Sequence, residues 1–143
     1  MTVSAILQAK GREVFCEPCD RTVGEVCATL GARGIGAMVL HDGDKEIAGI
    51  VSERDVVRAI ALNGRDILEQ PVRDIMTRKV MVCEEQDTLL VVLARMTEGR
   101  FRHLPVVKDG RLSGIISIGD VVKYRIAQVE REAEEMRSYI HAG

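Results

Sequence analysis

Two short strings place a hydroxyl and a carboxylate three positions apart, Ser52-Glu53-Arg54-Asp55 and Ser117-Ile118-Gly119-Asp120. Two chemistries use that spacing. At the start of a helix the Ser hydroxyl accepts from the third amide, and the Asp is favoured by the helix dipole. The same junction exposes backbone amides suited to a phosphate, and a carboxylate there can accept from two vicinal hydroxyls. The roles are compatible, and the residues alone leave both open. Upstream of the second string stand Arg102 and His103. A guanidinium and an imidazole meet a phosphate with charge-assisted bonds. The plainer reading is a solvated strand-end charge and a partly buried filler. At the aligned places of the first half stand Ile35 and Gly36, which offer neither group. Gly119 would let a ligand approach the backbone, and Ile118 supplies an apolar face for a flat ring. In the first string Glu53 and Arg54 replace that pair, so Arg54 either reaches a polyphosphate or pairs with Glu53 and Asp55.

The other reactive pattern is Cys16-Glu17-Pro18-Cys19, a CxxC. A redox pair or half a metal site would use it. Its context argues for neither. Pro18 and Asp20 mark a turn, and the next helix starts at Thr22 with Glu25 three residues on. A structural zinc needs two more ligands at short spacing, while Cys27 and Cys83 fall on apolar stripes or strand ends. No nucleophile motif, P-loop or GxGxxG occurs, so nothing points to catalysis, and no metal is expected.

These residues sit in a unit written twice. Gly49 to Val57 reads GIVSERDVV and Gly114 to Val122 reads GIISIGDVV, with six of nine residues identical. Val23, Val26, Cys27 and Leu30 recur as Leu89, Val92, Leu93 and Met96, each the buried stripe of a short amphipathic helix. Val3, Ile6 and Leu7 are echoed by Val72, Ile75 and Met76, with Pro71 suited to a first helical turn. The halves therefore run 1–69 and 70–143. In each, a short helix precedes a strand (Val14 to Cys16; Val80 to Cys83), the amphipathic helix, two strands (Ala37 to Leu40 and Ile47 to Val51; Leu104 to Val107 and Leu112 to Ile116) and a second helix. The turns His41-Asp42-Gly43-Asp44 and Lys108-Asp109-Gly110 carry the Asp-Gly pair that favours a hairpin. The fold class is α/β (α+β): two β-α-β-β-α repeats packed about a pseudo-twofold axis, because a half of this size buries too little apolar surface to be comfortably stable alone. The seam between two such lobes is a favoured place for a small ligand.

Bulk properties bound the function. Among 143 residues, 20 Lys plus Arg against 22 Asp plus Glu give a net charge of −2. No basic run exceeds two residues and aromatics are 3%, so neither a nucleic-acid polymer nor a membrane surface is an expected partner. The longest apolar run, Leu89 to Ala94, falls far short of the roughly 20 residues a membrane helix needs. The start lacks a secretory pattern, which makes a cytoplasmic, reducing location the expectation.

With Gly-x-x-Ser-x-x-Asp in both halves, and with Arg100-Phe101-Arg102-His103-Leu104-Pro105-Val106-Val107 leading into the second copy, the chain resembles a tandem pair of CBS (cystathionine beta-synthase) domains, a Bateman module. The likeness runs from the leading helix through Arg125. It implies a non-enzymatic regulatory module that binds an adenosine ligand such as AMP, ATP or NAD, with no obligatory cofactor, and that signals to a still unidentified protein. It also implies that Asp120 and Asp55 hold ribose hydroxyls, that Arg102 and His103 contact phosphate, and that Thr77 lines the same cleft as Ser117, Ile118, Gly119 and Asp120. The first-half set is Ile35, Gly36, Ser52, Arg54 and Asp55. The alternatives are an interaction scaffold whose Ser-x-x-Asp strings are only caps, and a thiol protein using Cys16 and Cys19.

The last segment, Val121 to Ala142, spaces Val122, Ile126, Val129, Ala133, Met136 and Ile140 by 4, 3, 4, 3 and 4. That is heptad spacing on one long helix, serving either packing on its own chain or a homodimer contact. A homodimer is the expectation, since the short leading helices and this seam offer more apolar surface than one small chain covers.

Overall fold

The computed structural model describes residues 1–43 and 45–142. The chain divides into two compact units. The first comprises Glu13–Met81 with Asp109–Leu112. In it β1 (Cys16–Pro18), α2 (Val23–Arg33), β2 (Ala37–Asp42), β3 (Lys45–Ser52) and α3 (Glu53–Asn63) follow α1 (Val3–Lys10), which belongs to the other unit. Its sheet runs β1-β2-β3, with Cys16 opposite Val39 in the parallel pair and Ala37 opposite Ser52 in the antiparallel pair. Val23, Val26 and Leu30 on α2 close over Met38, Leu40 and Val51, the core that their 3,4 spacing predicts.

The second unit comprises Met1–Arg12, Val82–Lys108 and the chain from Ser113 onward. It repeats the order with β4 (Cys83–Glu84), α4 (Leu89–Gly99), β5 (His103–Lys108), β6 (Arg111–Ser117) and α5 (Ile118–Ala142), its sheet running β4-β5-β6. Each of α2 and α4 starts on a Thr cap: Thr22 Oγ1 accepts from the Glu25 amide, and Thr88 Oγ1 from the Val91 amide. The mixed α+β architecture with a long final helix is the one the repeats predict. Asp109 and Gly110 both have positive φ, 52° and 77°, as a two-residue hairpin turn of the primed type requires. In the first repeat's turn Gly43 is also at positive φ, and Asp44 lies outside the described residues.

Three local expectations change. The first strand of each repeat lies later, at Cys16–Pro18 and Cys83–Glu84 rather than 14–16 and 80–83. In the first repeat Pro18 closes the strand, and the next amide, Cys19, donates to the His41 carbonyl. The leading segments are also unlike. Val3–Lys10 is an α-helix, but its echo is a single 3-10 turn, Val72–Asp74, after another at Arg65–Glu69. Pro71 stands outside that turn in extended geometry, and Thr77 exchanges both backbone hydrogen bonds with Ile50 (2.9 and 3.0 Å). That pairing pulls the chain into strand geometry before a second helical turn forms.

The leading segments also sort across the sequence halves. Val3, Ile6 and Leu7 are buried with Leu89, Val92, Leu104 and Ile116, whereas Val72 and Met76 are buried with the core of α2 and β2. Two glycines make room for them. A Cβ on Gly114 would stand 2.9 Å from the Leu7 methyls, and one on Gly49 would stand 2.5 Å from Met76 Sδ.

Candidate functional site

Both Ser-x-x-Asp strings form capping boxes at strand-to-helix junctions. In the first, the Ser52 amide donates to Asp55 Oδ2 at 2.9 Å and the Asp55 amide donates to Ser52 Oγ at 3.3 Å. In the second, the Ser117 amide donates to Asp120 Oδ2 at 2.9 Å and the Asp120 amide to Ser117 Oγ at 3.1 Å. The capping reading thus describes real bonds, and it leaves the binding reading intact, because each box fixes its carboxylate without using all its lone pairs.

The boxes differ in what surrounds them. Lys10, the last residue of α1, places its ammonium 2.6 Å from Asp120 Oδ2 and 3.0 Å from the Ile115 carbonyl oxygen. No side-chain cation pairs with Asp55 among the described residues. Burial pushes the Asp120 carboxyl up, but the Lys10 ammonium and the Ser117 amide outweigh it and hold the group below the ordinary aspartate value. Both bonds fall on Oδ2.

Arg102 and His103 lead into β5 beside this box: the Ile118 amide, first of α5, donates to the Arg102 carbonyl at 2.8 Å. The matching bond in the first repeat runs from the Glu53 amide to the Gly36 carbonyl at 3.0 Å. The equivalents of Arg102 and His103 are therefore Gly36 and Ala37, one residue later than Ile35 and Gly36. The helix ends confirm this register, since Gly34 and Arg100 both close their helices in the left-handed region. The asymmetry persists, an Arg-His pair against Gly-Ala. A methyl on Gly119 would meet only Ser117 Oγ, at 3.6 Å, so the protein's own atoms do not demand glycine there. Ile118 packs in part against the second core. Thr77 belongs to the other unit, where its backbone pairs with Ile50. Arg54 is exposed and makes no ion pair with Glu53 or Asp55 among the described residues.

Lys10 is the site residue that sequence reasoning misses. It carries no motif and meets Asp120 across 110 positions of chain. The one weak signal is that the apolar stripe of α1 ends just before it.

The CxxC splits. Cys16 is exposed at the start of β1, whereas Cys19 is 3% exposed and packs in the first core. Burial and the nearby Glu46 push the Cys16 thiol up, away from thiolate reactivity, and burial pushes Cys83 up to about 12. Among the described residues no group of three His, Cys, Asp or Glu is arranged to hold a metal. Cys16→Ser should leave stability unchanged, while Cys19→Ser, which buries a hydroxyl, should cost about 1–3 kcal/mol in urea denaturation. Equal stabilities for the two variants would contradict this placement. A cavity of about 470 Å³ opens beside Cys16 between β1 and α2, with Arg33 stacked 4.2 Å from the Phe15 ring, and none of the predicted site residues lines it.

Each of the two β-α-β-β units thus carries a Ser-x-x-Asp box where its last strand passes into a helix. The family model of the CBS domain matches residues 11–62 and 72–127, and the chain belongs to that family. It is similar to the crystal structure of a CBS-domain containing protein from Agrobacterium tumefaciens, at 47% identity and a TM-score of 0.83 over 87% of this chain and 92% of that one. A CBS domain protein from Pyrobaculum aerophilum, solved in complex with AMP, is 30% identical with a TM-score of 0.74, covering 84% of this chain and 89% of the other. A mitochondrial CBS domain-containing protein of Arabidopsis thaliana is 32% identical over 99% of this chain and 73% of its own length. Of a second Arabidopsis CBS domain-containing protein, 30% identical over 82% of this chain, the match spans only 22%. No helix among the described residues is long and apolar enough to cross a membrane.

Proposed function

We propose that this chain is a non-enzymatic regulatory module that binds an adenine nucleotide of the AMP, ATP or NAD type at the Ser117–Asp120 box and passes its occupancy to a partner protein. The observation that carries this reading is the Asp120 carboxylate, fixed through Oδ2 by Ser117 and Lys10 at a strand-to-helix junction, where its remaining lone pairs would accept from ribose hydroxyls. Arg102 and His103, at the start of β5, supply the groups that meet phosphate. The AMP held by the Pyrobaculum relative supports the ligand class. The first box, with Gly36 and Ala37 in place of Arg102 and His103, is the weaker site, and Arg54 adds a cation in its own string. Four free cysteines suit a reducing compartment, cytoplasmic or matrix-like. Thermal-shift screening with AMP, ATP and NAD tests the reading, because a ligand that binds only the folded state raises the melting temperature. At least one of the three should raise it in a dose-dependent way, and no shift with any at millimolar concentration would overturn the proposal.

The dimerisation reading rests on a separate observation. Beyond Val121 and Tyr124, α5 keeps its seam in solvent: Ile126 is 54% exposed, Val129 46%, Met136 61% and Ile140 65%. A second copy of this helix would cover it. With Ile126, Ala133 and Ile140 at one core position of the heptad and Val129 and Met136 at the other, parallel in-register pairing sets Arg125 against Glu130 and Glu132 against Arg137 across the pair. Val129→Glu with Met136→Glu would bury two unpaired charges per chain and should shift the protein from dimer to monomer in light scattering. A wild-type mass near 16 kDa, one chain, would show the idea wrong.

A further inference from the structure

The two boxes share their hydrogen-bond pattern, yet among the described residues one carboxylate carries an ammonium and the other does not. Lys10 is exposed, but the helix that carries it is held by the core. Val3, Ile6 and Leu7 fix α1 in the second core, and Gly11 ends the helix at φ 101°, its amide donating to the Leu7 carbonyl. The side chain then reaches two acceptors of the β6–α5 junction, Asp120 Oδ2 and the Ile115 carbonyl oxygen. An ammonium has three N–H donors, so two are spent and one remains. That donor sits beside the carboxylate proposed to hold the ribose, and a 5′-phosphate lies one sugar away from the hydroxyls bound there.

We infer that Lys10 is a specificity-determining residue that makes the Ser117–Asp120 site select phosphorylated ligands over neutral nucleosides. The inference rests on the nucleotide-binding reading above. A neutral nucleoside that donates its hydroxyls to Asp120 draws on a carboxylate already shared with Lys10 and offers the ammonium only neutral acceptors. A nucleotide brings an anion that the third N–H can meet with a charge-assisted bond, so Lys10 bridges carboxylate and phosphate. Lys10 would then add a second cation to Arg102 at this junction, supplied by a helix from the opposite end of the sequence. The first box, lacking such a cation, should discriminate less.

Calorimetric titration of the full chain with AMP and with adenosine tests this. The wild type should prefer AMP. Lys10→Met should weaken AMP at least tenfold and change adenosine less than threefold, collapsing the preference. Lys10→Gln, which keeps a donor without the charge, should behave like Lys10→Met, and Lys10→Arg should restore most of the preference. A purely structural role would lower both affinities together in Lys10→Met and leave their ratio intact. A ratio within twofold of the wild type in both neutral variants would overturn the inference while the binding reading stands. Absence of AMP binding by the wild type would overturn the inference, and undiminished binding by Asp120→Ala would overturn the reading itself and the inference with it.

Discussion

Truncating Leu7 to Ala should lower the unfolding free energy by about 2–5 kcal/mol, the range for emptying a fully buried leucine site. Leu7 stands in the first sequence half, but its neighbours do not. It is buried with Leu89, Val92, Leu104 and Ile116, and its methyls fill the space above Gly114 that a Cβ would occupy. The cavity would open against β6 at Gly114, three residues before Ser117, so the site should loosen along with the core. Urea denaturation measures the cost. A loss below about 1 kcal/mol would mean that α1 is not an integral layer of the second core, because surface substitutions stay within about 0.5 kcal/mol.

Asp120→Ala should weaken AMP by roughly 1.5–3 kcal/mol, since a charged acceptor to the ribose is lost. By the usual conversion that is about a 10- to 150-fold rise in Kd. The substitution also removes half of a capping box and the partner of Lys10. Asp55→Ala is the internal control, because it breaks a box of the same geometry in the other repeat. Each should lose about 1 kcal/mol of stability as a cap. Only Asp120→Ala should lose the larger part of the nucleotide affinity. Equal affinities for the two variants would reduce both strings to helix caps.

What could be read from the sequence was what repeats with a short period. The 3,4 stripes of α2 and α4 and the Ser-x-x-Asp boxes are local patterns, and each stands where its spacing places it. Contacts that depend on long-range packing were not legible. Val72, Ile75 and Met76 carry the same apolar triplet as Val3, Ile6 and Leu7, yet only the latter forms an α-helix, because Thr77 is captured by β3. The one-residue error in matching Arg102 and His103 to the first repeat has a similar cause. The stretch from helix end to strand start is equally long in both repeats, Gly34 to Ala37 and Arg100 to His103, and the Ile118 to Arg102 and Glu53 to Gly36 bonds fix that alignment in space. Lys10 reaches Asp120 only because α1 folds onto the second core. The heptad spacing of α5 was visible, while the exposure of its seam emerged only with the packed chain. Cys19 reads as half of a reactive pair in the string, and as a core residue in the fold.

The central claim is that the Ser117–Asp120 box and the start of β5 form an adenine-nucleotide site. An amide-resolved NMR titration of the isotope-labelled full chain with AMP tests it most directly, because it reports occupancy and location together. The expected result is saturable shifts centred on the amides of Arg102, His103, Ser117, Ile118, Gly119 and Asp120. No saturable shift with AMP, ATP or NAD at millimolar concentration, or shifts centred away from those amides, would contradict the account.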